Sequence, residues 1–267
     1  KQRLITLMVG RSIDALTRRR RTKVDTEPVL EVRNLRISKQ DQVNSFCLRR
    51  GEVLGIAGLV GSGRSEIARA IFGADKKVSG EILINGKLVS IDSPEDAVRH
   101  GIALIPEDRK LEGFVPLLSN EANINLSSLK NFNCFGVQKS KPLQENALNF
   151  MKLLNVSPLN PKTMTRNLSG GNQQKVVLAK WLSTKANIVI FDEPTRGIDV
   201  GAKSEIYRLI NDLAKREYSI IIISSELVEI IGLCDRVLVM YEGVINGELE
   251  GDDITEENIL YLAMGGK

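Results

Sequence analysis

Aromatic residues, histidine and cysteine are scarce in this chain of 267 residues. Phe, Trp and Tyr make up 4% of the sequence, His100 is the single histidine, and the three cysteines lie far apart without a C-x-x-C pair. This pattern favours neither a zinc site nor a disulfide framework and is typical of reduced cytosolic thiols. Because the chain has a single histidine, which we interpret as a surface residue at a helix end, hydrolase chemistry of the Ser-His-Asp or Cys-His kind is disfavoured unless His100 carries it.

Long hydrophobic runs are also absent. The longest aliphatic stretch covers residues 220–223, far below the roughly 18–20 residues that a membrane-spanning helix needs. Residues 1–21 are too charged for a signal peptide.

The positive charge is confined to one end of the chain. The net charge is +4, but residues 1–30 contain eight Lys and Arg against three Asp and Glu, so the rest is nearly neutral. A nucleic-acid-binding domain would instead show basic and aromatic residues spread over one face. We interpret the arginine run at 18–21 as a solvated linker, with attraction to anionic lipid as the alternative.

Strand and helix patterns alternate along the remainder of the chain. Apolar runs predict buried strands at 53–57, 102–105, 187–191, 220–224 and 237–241. Helices are predicted between strands, including 200–216 and 226–233. This alternation predicts an α/β fold with a mostly parallel sheet covered on both faces. A patchy alternation at 29–37 predicts one more strand, at a sheet edge.

A glycine-rich loop follows the first of these strands. Residues 58–65 read GLVGSGRS, which is the spacing of a P-loop with arginine at the lysine position. Glycines let the backbone N–H groups surround a phosphate, and the next helix presents its positive N-terminus to the same anion. Ser65 supplies a hydroxyl for Mg²⁺, and Arg64 keeps the charge in a bulkier, planar group. We predict phosphate binding with altered placement of the γ-phosphate; a tight strand–helix turn without a ligand is the alternative.

Two further motifs support the nucleotide interpretation. Residues 168–174 read LSGGNQQ and precede a predicted helix, so Ser169, Gly170 and Gly171 form a second candidate anion site. The apolar run at 188–191 ends in Asp192 and Glu193. In such an arrangement the first acid holds Mg²⁺ through water, and the second orients or deprotonates the attacking water.

A P-loop, then LSGGNQQ, then IVIFDEP, in this order, resembles the ATP-binding domains of ABC transporters from about residue 29 to the C-terminus. More narrowly, the chain is similar to the second, C-terminal nucleotide-binding domain of the double-domain ATPases of bacterial ribose- and galactose-type sugar importers. The closer resemblance rests on MVGR at 8–11, GRSE at 63–66, PEDRK at 106–110, PTRGIDVGAK at 194–203 and SSE at 224–226.

The resemblance implies a P-loop NTPase fold of ABC type, with a mostly parallel sheet core, an antiparallel β part and a helical subdomain. We expect residues 1–28 to be an inter-domain linker and the tail of a preceding domain. Residues 29–267 would form the nucleotide-binding domain, with the helical subdomain at about 115–185.

The resemblance also implies which residues form the site. Mg²⁺ would be held by Ser65, Asp192 and Glu107, and the catalytic positions are Glu193, Ser225 and Glu107. ATP or ADP would contact the P-loop and signature residues, namely Gly58, Leu59, Val60, Gly61, Ser62, Gly63, Arg64, Ser65, Glu66, Ser169, Gly170, Gly171 and Gln173.

Four groups that are usual in this family are replaced. Arg64 stands for the P-loop lysine, Glu107 for the glutamine that senses Mg²⁺ and water, and Ser225 for the switch histidine. Residues 37–44 contain no aromatic ring to stack on adenine, a contact that elsewhere contributes roughly 1–3 kcal/mol per base. Ser65, Asp192 and Glu193 are retained, so we expect Mg-nucleotide binding with slow hydrolysis.

The resemblance further implies partners. Nucleotide-binding domains of this family pair head to tail, so Ser169, Gly170 and Gly171 would grip the γ-phosphate of ATP held by the first domain of the same polypeptide. Asp199 would cross that interface. Membrane permease subunits would dock on the helical insert, a periplasmic sugar-binding protein would be an indirect partner, and no nucleic acid is expected. Candidate permease contacts are Arg109, Lys110, Glu112 and Phe114.

The expected function is ATP-driven import of a monosaccharide, from a peripheral position on the cytoplasmic face of the bacterial inner membrane. One alternative is a nucleotide-binding scaffold half-site with little or no hydrolysis of its own. Another is a soluble ABC ATPase acting on ribosomes or in DNA repair, which the confined basic charge and the lack of a charged coiled-coil insertion disfavour.

Overall fold

The computed structural model describes residues 27–38, 42–134, 137–138 and 140–266. Residues 1–26 of the predicted linker lie outside this part, so that interpretation stays a prediction. Within the described part, no helix is both long and apolar enough to cross a bilayer.

A six-stranded sheet forms the centre of the domain. Its members are β3 (Val53–Gly58), β6 (Ile102–Ile105), β9 (Ile188–Asp192), β10 (Ser219–Ile223), β11 (Arg236–Tyr241) and β12 (Val244–Glu250), in the order β12-β11-β3-β10-β9-β6. All neighbouring pairs are parallel except β11 with β12. Because β10 lies between β3 and β9, the carboxyl ends of these three strands meet at one edge.

A second sheet of four antiparallel strands packs beside it. Its members are β1 (Pro28–Arg36), β2 (Asn44–Arg49), β4 (Ser79–Ile84) and β5 (Lys87–Val89), in the order β2-β1-β4-β5. The strand predicted at 29–37 is confirmed as β1, but its predicted place at a sheet edge was wrong, because β1 pairs with both β2 and β4. Register shifts on both of its sides interrupt the period-2 alternation and give an inner strand an irregular pattern.

Eight α-helices are found in the described part of the chain: α1 (Arg64–Ile71), α2 (Pro94–Arg99), α3 (Asn120–Asn125), α4 (Ser140–Leu153), α5 (Gly170–Leu182), α6 (Val200–Lys215), α7 (Leu227–Leu233) and α8 (Glu256–Ala263). A π-helix covers Arg109–Gly113, 3₁₀ helices cover Leu126–Phe132, Thr165–Asn167 and Gly251–Asp253, and a short hairpin joins β7 (Asn133–Cys134) to β8 (Val137–Gln138). Helix α2 begins after Ser93, whose hydroxyl accepts a hydrogen bond from the Asp96 amide.

The core confirms the predicted α/β class with mixed sheets. One cluster lies between the parallel sheet and the helices α4 to α7, and the other lies between the two sheets and α1. The indole ring of Trp181 contacts both clusters and meets Phe72 edge to face, with the ring centroids 5.3 Å apart. The P-loop and the strand ends therefore rest on a continuous packed base.

Lys180 on α5 is a buried cation between that helix and the π-helix. Its Nζ donates to the Gly113 carbonyl and lies 4.6 Å from the centroid of the Trp181 ring. Burial lowers the pKa of this ammonium to about 8. The folded domain thus releases the proton at a lower pH than the unfolded chain does.

Replacing Lys180 by methionine is expected to remove a pH dependence of stability. Between about pH 8 and about pH 10, the unfolded chain binds a proton that the folded domain has released, so the free energy of unfolding rises with pH. The full difference corresponds to on the order of 3 kcal/mol. Urea unfolding of the wild type, Lys180→Met and the exposed-lysine control Lys215→Met measures it; equal slopes in all three contradict the assignment.

Candidate nucleotide site

The P-loop connects a core strand to the helix that follows it, as the sequence predicts. Gly58 ends β3, and Arg64 begins α1. A Cβ on Gly58 would lie 2.6 Å from the Ser62 hydroxyl oxygen and 2.7 Å from the Met240 carbonyl oxygen, so only glycine fits. The loop is tied back by hydrogen bonds from the Ser62 amide to Leu59 and from the Gly243 amide to Ser62.

Ser62 gives an independent indication of an anion site. Its hydroxyl oxygen is buried and has no hydrogen-bond partner in the described part of the chain. A buried donor of this kind costs free energy unless a ligand satisfies it. A phosphate oxygen in the loop would supply the missing acceptor, while Leu59, Val60 and Gly61 remain exposed at the loop surface.

Ser65 and Asp192 bring two oxygen ligands together at the edge of the sheet. The Ser65 hydroxyl donates to Asp192 Oδ1 at 3.0 Å. Burial raises the pKa of Asp192 to about 6, and the negative charge of Glu193 adds to this, while the Ser65 hydrogen bond and Arg64 oppose it. A hydroxyl and a carboxylate, completed by phosphates and water, fit the preference of Mg²⁺ for oxygen ligands.

The Arg64 side chain is turned inward. It is about nine-tenths buried, Nη1 donates to the Ser224 carbonyl at 2.8 Å, and Nη2 lies 3.5 Å from Glu193 Oε1. The guanidinium therefore compensates the charge at the end of β9 and contacts the end of β10. The expectation that arginine alters the placement of the γ-phosphate stays a prediction, and the inward contacts supply a physical reason for it.

Glu193 is engaged at both of its oxygens. Oε2 accepts a hydrogen bond of 3.0 Å from the Ser225 hydroxyl, and Oε1 faces Arg64. The residue has a left-handed backbone with φ of 47°, and its amide donates to the Ile223 carbonyl. Strand ends of β9 and β10 thus hold the two predicted catalytic residues, Glu193 and Ser225, against each other.

Glu107 has a different neighbour. Its carboxylate pairs with Arg196 in a charged cleft that Asp108, Arg109 and Lys110 also line. The contacts of Glu107 in the structure do not join it to Ser65 or Asp192. Its predicted roles in metal binding and catalysis stay predictions.

The signature motif lies at the exposed N-terminus of α5. Ser169 occupies the cap position and is exposed, and the Asn172 side-chain amide donates to its hydroxyl at 3.0 Å. Gly171 is buried against α6, where an added Cβ would lie 3.0 Å from the Ala202 Cβ. The amides at the start of a helix of this length favour an anion, and another molecule can reach them here.

The sequence profile described as "ABC transporter" matches residues 42–196. This chain belongs to the ABC transporter family. It is 46% identical over 99% of its length to the arabinose import ATP-binding protein AraG of Vibrio parahaemolyticus. It is 47% identical over 98% of its length to the ribose import ATP-binding protein RbsA of Clostridium perfringens. The chain spans about half the length of the curated relatives it matches, 52% of each of these two.

Solved structures show the same fold. A nucleotide-free ATP-binding cassette from an ABC transporter superposes with a TM-score of 0.75 at 20% identity, covering 87% of this chain and 95% of that one. The ATP-binding cassette MJ1267 superposes with a TM-score of 0.76 at 20% identity, covering 90% and 100%. The predicted ABC-type P-loop fold is confirmed, and membership in this ATPase family implies that the domain binds nucleotide.

Gln173 of this ABC domain is buried beneath the signature. Its amide nitrogen approaches the carbonyls of Thr165, Arg166 and Leu168 at 3.1 to 3.4 Å. These contacts fasten the loop that leads into Ser169. A direct contact of Gln173 with nucleotide stays a prediction.

Sequence reasoning missed a buried carboxylate behind the site. Glu229 on α7 accepts hydrogen bonds from the hydroxyls of Thr195, Tyr207 and Ser224. Burial raises the pKa of Glu229, and the three hydroxyl donors oppose that shift. The available signal was an acid between apolar neighbours on the inward face of a predicted helix.

Glu229→Ala is expected to lower the free energy of unfolding by about 2–4 kcal/mol, because three buried hydroxyls lose their acceptor. Glu229→Gln keeps a carbonyl acceptor and is expected to cost about 1 kcal/mol. Urea unfolding measures both, with the exposed Glu226→Ala on the same segment as the control, at less than about 1 kcal/mol. Equal losses for Glu229→Ala and Glu229→Gln contradict the prediction.

Proposed function

We propose that this chain is the second, degenerate nucleotide-binding half of an ATPase that energises import of a monosaccharide across the bacterial inner membrane. The similarity to arabinose and ribose import proteins supports the substrate class. The replacements at Arg64, Glu107 and Ser225 support a division in which this half hydrolyses little ATP itself and completes the site of the other half. The observation that carries the proposal is an exposed, intact signature in a chain whose P-loop arginine is turned inward.

The domain's own site holds Mg-nucleotide and hydrolyses it slowly. Bound Mg²⁺ would neutralise phosphate charge and polarise the phosphoryl group. Glu193, which would orient or deprotonate water, is held by Arg64 and Ser225, and Ser225 lacks the imidazole of the usual switch residue. Removing one transition-state donor costs on the order of 10²–10³ in rate, so these changes leave binding but little turnover.

The signature serves the site of the first domain. Ser169 and Gly170 present the N-terminus of α5 to a partner, where a γ-phosphate would receive amide hydrogen bonds. Asp199 caps α6, its carboxylate accepting from the Ala202 amide, and its exposed position suits a contact across the interface. The first domain of the same polypeptide is the proposed partner.

Permease subunits are the proposed partner on the helical side. Leu111 is 83% exposed and Leu117 is 65% exposed, which is unusual for two large apolar side chains near one loop. Of the four candidate contacts, Lys110 and Glu112 are exposed, whereas Arg109 and Phe114 are buried and unavailable to a permease. This docking places the domain on the cytoplasmic face of the membrane, with a periplasmic sugar-binding protein acting indirectly.

A scaffold half-site with no hydrolysis of its own is the second candidate. The engagement of both Glu193 oxygens favours it. Glu193→Gln in the intact transporter separates the two candidates, because unchanged turnover supports the scaffold and reduced turnover supports slow chemistry at this site.

Titration of this chain with Mg-ATP and Mg-ADP is expected to show saturable binding without rapid turnover. Ser65→Ala removes the hydroxyl that faces Asp192 and is expected to weaken Mg-dependent binding by about tenfold, the effect of about 1.4 kcal/mol. Isothermal titration with and without Mg²⁺ measures this. Absence of saturation at millimolar nucleotide contradicts the binding proposal, and rapid turnover by the chain alone contradicts the degenerate site.

In the intact transporter, Ser169→Arg is expected to abolish most ATP hydrolysis, by about 10²-fold or more, because it blocks the anion site offered to the partner. Arg64→Ala is expected to change turnover much less, because Arg64 faces Ser224 and Glu193 within its own domain. Steady-state hydrolysis and sugar uptake in reconstituted vesicles measure both variants. The reverse ranking overturns the division between the two sites.

A further inference from the structure

Arg109 joins three segments that the sequence separates widely. It begins the π-helix Arg109–Gly113, and its guanidinium donates to the carbonyls of Arg196 and Gly197 at 2.8 and 3.0 Å. The side chain is about nine-tenths buried. A planar guanidinium can hold two adjacent carbonyls with parallel donors, whereas an ammonium cannot reproduce that geometry.

The same guanidinium lies directly against the signature. A Cβ on Gly170 would come within 2.8 Å of Arg109 Nη2 and within 3.6 Å of the Gly197 carbonyl oxygen. Gly170 is the first residue of α5, so the contact is made at the helix end that faces a partner. Lack of a side chain at position 170 is therefore a condition for this packing.

The base of Arg109 is itself held firmly. Asp108 caps the π-helix by accepting from the amides of Lys110 and Leu111, and Lys180 donates to the Gly113 carbonyl at the other end. An added Cβ on Gly113 would lie 3.1 Å from the Arg109 Cβ. The helix therefore aims the arginine at the junction of Gly170 with the loop at 196–197.

The charge of Arg109 is not neutralised by a carboxylate contact within the described residues, and its Nε is buried without a hydrogen-bond partner. Burial lowers the pKa of the guanidinium, and the nearby Asp108 opposes this. The group still carries its proton at neutral pH. Its positive charge therefore adds to that of the helix N-terminus beside Gly170.

We propose that Arg109 is a positioning residue for ATP hydrolysis at the partner domain's site, acting by fixing Gly170 of the signature against residues 196–197, which lead to Asp199. This inference rests on the proposed function, because it assumes that the signature and Asp199 face the first domain. Because its side chain is buried, Arg109 is expected to act through these two segments and not by contact with nucleotide or permease. It holds together the two segments of this chain that would contact the partner's ATP.

The test is a set of variants in the intact two-domain ATPase with its permease. Arg109→Lys keeps the charge and loses the paired donors, and is expected to lower kcat at least tenfold with KM for ATP changed less than twofold. Nucleotide affinity of this chain's own P-loop is expected to stay unchanged, and its thermal unfolding midpoint is expected to fall by only about 2–4 °C, because lysine keeps one of the two donors. Arg99→Lys, an exposed arginine on α2, is the matched control and is expected to behave as the wild type.

A second variant tests the route through Gly170. Gly170→Ala places a methyl group against Arg109 Nη2. If both residues act through this contact, the fold-decrease in kcat of the double variant Gly170→Ala/Arg109→Lys is expected to be smaller than the product of the two single fold-decreases. Wild-type turnover in Arg109→Lys, multiplicative losses in the double variant, or a parallel loss of own-site affinity would each overturn the positioning role.

Failure of this inference is distinguishable from failure of the proposed function. If Ser169→Arg leaves turnover intact, the signature does not serve a partner, and the proposal for Arg109 falls with it. If Ser169→Arg abolishes turnover while Arg109→Lys does not lower it, the division of work stands and only the role of Arg109 is overturned.

Discussion

The contacts of Arg64 with the ends of two parallel strands fix where the positive charge of the P-loop lies. From the first residue of α1, its planar guanidinium contacts the carbonyl of Ser224 after β10 and the carboxylate of Glu193 after β9. Ser65 follows Arg64 in the chain, and Asp192 precedes Glu193. Ser65 and Asp192 keep a hydroxyl and a carboxylate oxygen together, as suits Mg²⁺. On the proposed function, this arrangement keeps nucleotide binding and slows hydrolysis.

A second set of contacts supports the face that would meet another domain. Glu229 joins Thr195 to Ser224 behind the site, and Arg109 joins Gly197 to Gly170 in front of it. Both are charged or titratable groups placed in the interior, where an unsatisfied partner is costly. The loop between β9 and α6 is consequently fixed on both sides.

Much of the fold and of the nucleotide site followed from local pattern. The P-loop, the acids at 192–193 and the signature helix lie where their spacing predicts, because each depends on a strand end or a helix start that neighbouring residues encode. Other features depend on distant partners. Neither the ion pair of Glu107 with Arg196 nor the burial of Arg109 could be read from a PEDRK sequence, which looks like an exposed loop. The inner position of β1 was missed because bulges disturb its alternation.

By itself, the sequence determined the alternation of the parallel strands with helices, the place of the glycine loop between a strand and a helix, and the family resemblance, since all three rest on residues close together in the chain. The tertiary structure alone decided where the long side chains point. Arg109 donates to the carbonyl of Arg196, 87 residues away, and Arg64 donates to that of Ser224, 160 residues away. Glu229 accepts from Thr195, which lies 34 residues earlier in the chain. Such partners are set by strand order in the sheet and by burial, because a charged group in the interior takes whichever polar atoms the fold brings within reach.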